Sequence, residues 1–511
     1  MPTDTTIHEN EMKKRYYEAG ALGLGLLMAQ LLATMQVYQS NAALYRKLVA
    51  IRQAGYITVP NQTIIHSLKE FGPAFFGGLF FTFTVGAGLS VLSFGAAWIW
   101  DRLLSRNKSL IIPFILLYIG ALVAVNSRGL CPMVTTYFSL IPLTVFMTTL
   151  RWMSPEVQKK LGPDRMVHCL SFTLLALLWT SQIHNRMFLD LRDNILLSNP
   201  LGTKLNDFYY KYTLYAAEVF KTLNQKINKT CNLDDIQEDS SMRSLEVELL
   251  NHDYFCVRGD EETDLRIVEE DQELAFQHGN RTVLRATLQG FLAKPEVILK
   301  AFSSKSDKYS FFRDFTYLSL LLGFPIILYI ALHTLLRLLT APFMDSTTSS
   351  SIASILCLVI GTVILLLCYV SRSGHTNREN LAEALESQRW QNRVEALRII
   401  EKERIEIASF QVYKSLIGSS YIAERYWLAR ALGISKQPET YEDLLTLLGD
   451  PHPNVVCMAL YGLGQRGDTR VVGELVERIQ KSEDWYVQWY GYKTLRALGW
   501  KQNRSKREIC S

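Results

Sequence analysis

The sequence predicts an all-α protein in two parts: a polytopic helical membrane bundle of about seven spans, and a C-terminal α-solenoid of stacked helix pairs. Two observations carry that reading. Apolar residues gather in blocks of roughly twenty, enough to cross about 30 Å of hydrocarbon at 1.5 Å per residue, although the overall hydrophobic fraction of 48% is that of a soluble chain. After residue 371 the blocks stop and a helix-end pattern recurs: Ala431-Leu432-Gly433, Gly462-Leu463-Gly464 and Ala497-Leu498-Gly499, at spacings of 31 and 35 residues. Four regions follow: 1–182 with spans one to five, an extramembrane loop domain at 183–312, spans six and seven at 313–371, and the repeat domain at 372–511.

The first block, 20–38, follows the basic run Lys13-Lys14-Arg15. It carries Gln30 and Gln36 and lacks a clean small-residue cleavage site, so it reads as a retained span and not a signal peptide. The second, 71–100, is rich in Gly and Phe, with small residues that allow close helix packing. Spans three and four, 110–125 and 133–150, flank the turn SRGLCP; spans five to seven are 166–182, 317–336 and 352–370. With the N-terminus inside, the short inner segments hold eleven Lys/Arg against five in the short outer ones, which favours that orientation. An odd number of spans then puts the long loop and the repeats on the outer side, of the inner membrane if the cell is bacterial.

The loop begins with a dense aromatic run, Phe208, Tyr209, Tyr210, Tyr212, Tyr215 and Phe220. Either an interfacial or core helix with its rings at headgroup depth or a docking surface for a partner would place them there. From 231 to 275 the chain turns acidic, with fifteen Asp/Glu against three Arg. Cys231 and Cys256 are the only cysteines in the loop. On an oxidising outer side they are expected to pair, stabilising the segment by a few kcal/mol.

In the repeats, DPHPNVV at 450–456 opens a helix with Val455, Val456, Ala459, Leu460 and Leu463 on one stripe. Gly464 and Gly467 mark its end, Asp468 stands where a cap would, and Val471, Val472, Leu475 and Ile479 form the next amphipathic face. NRVEAL at 392–397 repeats the inner helix without the glycine. No single pair can bury its apolar face alone, so neighbours supply the core. Over roughly residues 380 to 500 the chain resembles the short HEAT-type repeats of the phycobilisome-lyase class, through DPHPNVV…AL…LG. The resemblance implies a HEAT-like α-solenoid that binds a protein on a concave helical face; no cysteine or pocket pattern extends it to lyase chemistry. Trp and Tyr are frequent binding anchors. Trp485, Tyr486, Trp489 and Tyr490, with Arg466 and Arg470 on the adjoining turn, are therefore the expected partner-binding residues.

Enzymatic readings find no support. GxSxG, HExxH and GxxxxGK[ST] are absent, and the single GxGxxG, at 462–467, closes a helix instead of following a strand. The acidic run 260–264 lacks EF-hand ligand spacing. No Cys/His metal spacing occurs, and a net charge of +5 over 511 residues does not suggest nucleic acid. Few ionisable residues lie inside the spans, which weighs against ion-coupled transport. His66 and His184 fall near the outer ends of spans, and His168 and His333 near the inner ends. A two-haem membrane cytochrome would use such pairs; unrelated histidines at span ends are the simpler explanation. The expected function is a non-enzymatic, membrane-anchored scaffold without a cofactor. A transporter or channel with regulatory repeats, or a haem electron-transfer protein, would be the alternatives.

Overall fold

The structure, a computed structural model, describes residues 16–153, 162–257, 263–370 and 376–502. Basic residues 13–15 and 159–160, which contribute to the predicted orientation, and acidic residues 260–262 lie outside them. Six helices are long and apolar enough to cross a membrane: α1 (Tyr17–Gln53), α2 (Phe71–Arg102), α3 (Lys108–Asn126), α4 (Pro132–Trp152), then α11 (Ser310–Thr340) and α12 (Ser346–Val370). The fifth predicted block is α5 (Pro163–Gln182), which reaches that threshold only together with α6 (Met187–Leu196), across a bend of 109°.

The helices pack with alternating direction. At one end Trp100 stacks on Phe146, the Arg337 guanidinium covers the Tyr16 ring, and His168 meets His333. At the other, Cys131 Sγ lies 3.7 Å from the Lys308 carbonyl oxygen, and the Ser67 and Tyr215 hydroxyls are 2.7 Å apart. The small residues act as expected: a Cβ on Gly78 would stand 3.0 Å from the Thr34 backbone nitrogen, so α1 and α2 touch backbone to backbone. Gln30, polar in an apolar helix, is satisfied there, donating to the Phe75 carbonyl at 2.9 Å and accepting from Thr82 Oγ1 at 2.6 Å. With 37 residues, α1 is roughly 55 Å long, about 25 Å more than a hydrocarbon core needs, so its end projects.

The expected all-α class is corrected by a sheet in the long insertion. After α7 (Pro200–Phe220), residues 229–306 fold around β1 (Lys229–Asp235), α8 (Asp239–Asn251), β2 (Tyr254–Cys256), β3 (Leu265–Glu270), β4 (Glu273–His278), β5 (Arg281–Ala286), α9 (Leu288–Ala293) and α10 (Pro295–Ser306). The five-stranded sheet has the order β2-β1-β3-β4-β5. Its β1 runs parallel to both neighbours, and the rest is antiparallel. Tight turns make the meander: Asp271 and Gln272 both take positive φ, and so does Gly279. Leu233, Leu245, Leu249, Tyr254, Phe276, Phe291 and Phe302 form its core.

The C-terminal part is a helical array. Inner helices α14 (Trp390–Glu403), α15 (Ile422–Ile434), α17 (Pro453–Arg466) and α19 (Trp485–Ala497) stack side by side. Their outer partners are α13 (Leu381–Glu386), one turn at Tyr413–Leu416, α16 (Pro438–Leu448) and α18 (Val472–Lys481). Gly433 and Gly462 are needed for contact: a Cβ on Gly433 would lie 2.5 Å from the Gly462 Cα. Gly467, at φ +73°, ends α17 in the left-handed region, and the Asp468 side chain caps the next turn.

Candidate functional site

The inner face of the array is occupied by the chain itself. The segment MFLDLRDNIL of α6 places Asp190 and Asp193 three residues apart, on one side of a short helix. Asp193, 1% exposed, accepts from Arg192 Nε and Nη2 at 2.8 and 2.7 Å, from Arg398 Nη2 at 2.6 Å and from Trp427 Nε1 at 2.7 Å. Asp190 accepts from Arg398 Nη1 at 2.8 Å and lies 3.1 Å from His184 Nε2. The Arg192 guanidinium covers the Tyr426 ring at 3.9 Å. Burial works against the Arg398 charge, but Asp193 and Asp190 outweigh it and hold its pKa above the usual arginine range. Buried ions need partners of this kind. The joint therefore fixes the first two inner helices to the segment that follows α5. Beside it lies a cavity of about 290 Å³, lined by His184, Arg186, Asn194, Trp390, Glu395 and Arg398 among others.

Farther along, α7 lies on α17 and α19. Asn206 Nδ2 donates to Asn454 Oδ1 at 3.4 Å, and His452 Nε2 is 3.3 Å from Asp207 Oδ1. Burial lowers the His452 pKa, with Asp207 pulling the other way. The predicted anchors sit here. Trp485 is buried edge-on against Tyr215 and Tyr486 against Tyr210, each pair with centroids 4.9 Å apart. Trp489 packs on Tyr490 and lies under Lys493 Nζ at 3.9 Å. The partner that Trp485 and Tyr486 meet in this structure is thus the chain's own aromatic run. Arg466 is a staple within the repeats, donating to the Leu432 and Gln437 carbonyls and to Thr440 Oγ1. Arg470 pairs with Asp468 at 2.6 Å on the exposed side of the turn.

Two further joints complete the clasp. Asn61 donates from its backbone to Gln488 Oε1 and from Nδ2 to the Ile479 and Gln480 carbonyls, each at 2.8 Å. Tyr492 donates to Asp253 Oδ1 at 2.7 Å, which ties the last inner helix to the sheet domain. In that domain Lys47, on the projecting end of α1, donates to Asp264 at 2.7 Å. Burial would raise the Asp264 carboxyl, but Lys47 and Lys226 outweigh it and hold it below the usual range. Cys231 and Cys256 are register partners on β1 and β2, with sulfurs 2.7 Å apart.

The histidines divide. His168 and His333 come together with ring centroids 4.5 Å apart at 67°, beside Tyr329 and Ser354. A metal held between two imidazoles stands about 2 Å from each nitrogen, and rings in edge contact leave no haem-sized gap. Among the described residues no three His, Cys, Asp or Glu converge so as to hold a metal ion.

Geometry therefore defines the class first: an apolar helical bundle with a solenoid of helix pairs clasped to one end. The family of HEAT repeats matches residues 410–496, the part that contains α15 to α19. No curated protein matches the chain, and neither does any solved structure. Repeats of this family commonly mediate contacts between proteins.

The Asp190–Asp193 joint was not singled out from the sequence. Its signal is two carboxylates, an arginine and an asparagine inside an otherwise apolar decamer, 187–196. A second missed pattern is internal to the repeats: Arg393, Arg425 and Gln488 each donate to the carbonyl of the serine six residues before, Ser387, Ser419 and Ser482.

Proposed function

We propose that the protein is a non-enzymatic, membrane-anchored adaptor. Its repeats are held on the outer surface by the bundle and engage a partner protein through their outer row. The reading rests on one observation: the inner face, which such arrays commonly offer to partners, is filled by α6 and α7, while the outer helices are left open except where Asn61 meets the C-terminal end of α18. Exposed Glu439 and Glu442 make α16 acidic, whereas Glu474 and Glu477 on α18 pair with Arg478 and Lys481; the α16 stretch suits a basic partner surface.

The test places a photoreactive amino acid at Glu442, Glu477 or Tyr486 in intact cells. The outer positions are expected to give adducts with a second protein, lost when the four glutamates are changed to Lys in a protein that still inserts; Tyr486 is expected to give only intramolecular adducts. An outer row that yields no protein adduct, or adducts indifferent to the charge change, overturns the proposal.

A further inference from the structure

We propose that the first half of α7 is an in-plane helix seated in the lipid leaflet on the repeat side, so that the repeats rest directly on the membrane surface. The inference rests on the membrane-anchored reading above and adds a lipid-binding surface to it.

One face of α7 is engaged by the repeats through Asn206 and Tyr210. The other is apolar and open: Leu201 is 70% exposed, Leu205 56%, Phe208 39% and Tyr209 48%. Their spacing of four, three and one residues makes a continuous stripe on a helix. Four large apolar side chains on a solvent-facing stripe are costly, at about 25 cal/mol per Å² of apolar surface, so the stripe calls for an occupant.

Continuity identifies it. Phe208 meets Phe76 of α2 edge-on with centroids 5.4 Å apart, and Tyr212 meets the same ring at 4.9 Å. Phe71 and Phe76 are themselves exposed near the start of α2. From α6, Phe188 contacts Tyr317 of α11, and both rings are exposed. The stripe is thus the extension of surface that two apolar helices already offer to lipid. Lys204 and Lys211 are exposed one helical flank away, where their stems lie along an apolar layer and their ammonium groups reach phosphates. A 109° bend between α5 and α6, just ahead of α7, turns the chain away from the line of α5.

The experiment uses the full chain reconstituted in vesicles of phosphatidylcholine containing phosphatidylglycerol. A photoreactive residue is placed at Leu205, at Leu116 on the open side of α3, or at Glu442 on the outer row. Phospholipid adducts at 205 and 116 and none at 442 are expected. An adduct at 116 without one at 205 overturns the in-plane helix and leaves the membrane reading standing. Failure at both 116 and 205 removes the membrane reading, and the proposal with it. A protein–protein adduct at 205, meaning that a second copy covers the stripe, overturns it as well, and so does equal lipid labelling at 442.

Discussion

At the scale of single residues, the molecule is held together by a few buried polar groups that each serve several partners. Asp193 is the extreme case, since one carboxylate pairs with both Arg192 and Arg398 and accepts a hydrogen bond from the Trp427 indole N–H. Asp193→Ala removes the carboxylate that Arg192 pairs with and one of those that hold Arg398 in this buried joint, at a cost of about 3–5 kcal/mol. Limited proteolysis between the bundle and the array is expected to become markedly faster, with the helical content unchanged. His452 gives a second expectation. Because burial depresses its folded pKa below the ordinary 6.5, the neutral ring is the form the joint accepts. The stabilisation is present above that value and fades as the pH falls below it. Facing it are Asp207, Asp450 and Arg425. The contact of α7 with the array, followed by hydrogen exchange, is expected to loosen between roughly pH 7 and pH 5, and His452→Asn to flatten the profile.

At the scale of elements, backbone proximity sets what the chain tolerates. Gly433→Ala drives a methyl into the Gly462 backbone. Overpacking of this kind costs about 1–3 kcal/mol, so a lowered Tm is expected, whereas Gly473→Ala, in open space on α18, is expected to be neutral or better. The cysteines make a further expectation: in protein from an oxidising compartment, Cys231 and Cys256 should react with thiol reagents only after reduction, as mass spectrometry of the 229–257 peptides would read. The helices α1 to α4 were legible as continuous apolar blocks, and α17 and α18 because apolar residues recur at helix spacing. The sheet was not. Its strands are three to seven residues long, interrupted by an acidic stretch, and the turns that define them are short: Asp271-Gln272 without glycine, and Gly279-Asn280 among polar residues. Aromatic residues 485–490 were legible as an interface, but not its occupant, because nothing local to that stretch records that Tyr210 and Tyr215 pack against it.

At the scale of the whole molecule, sheet domain and array share one end of the bundle, joined by Tyr492 to Asp253 and by Lys47 to Asp264. Protease sites inserted at Ser240 and just after Gln502 are therefore expected to be cut together from one side of a sealed membrane, with a site at Asn107 cut only from the other. The clasp also sets a timetable for biogenesis. Asn61, in the first loop to emerge, finds Gln488 some 427 positions later. At about 5–20 residues per second, that loop waits roughly 20 to 90 s with its backbone groups unpaired. A ribosome that stalls within the repeats would leave the earlier helices lacking their closure. Closure of the earlier helices therefore depends on the docking of α19 onto the Asn61 loop.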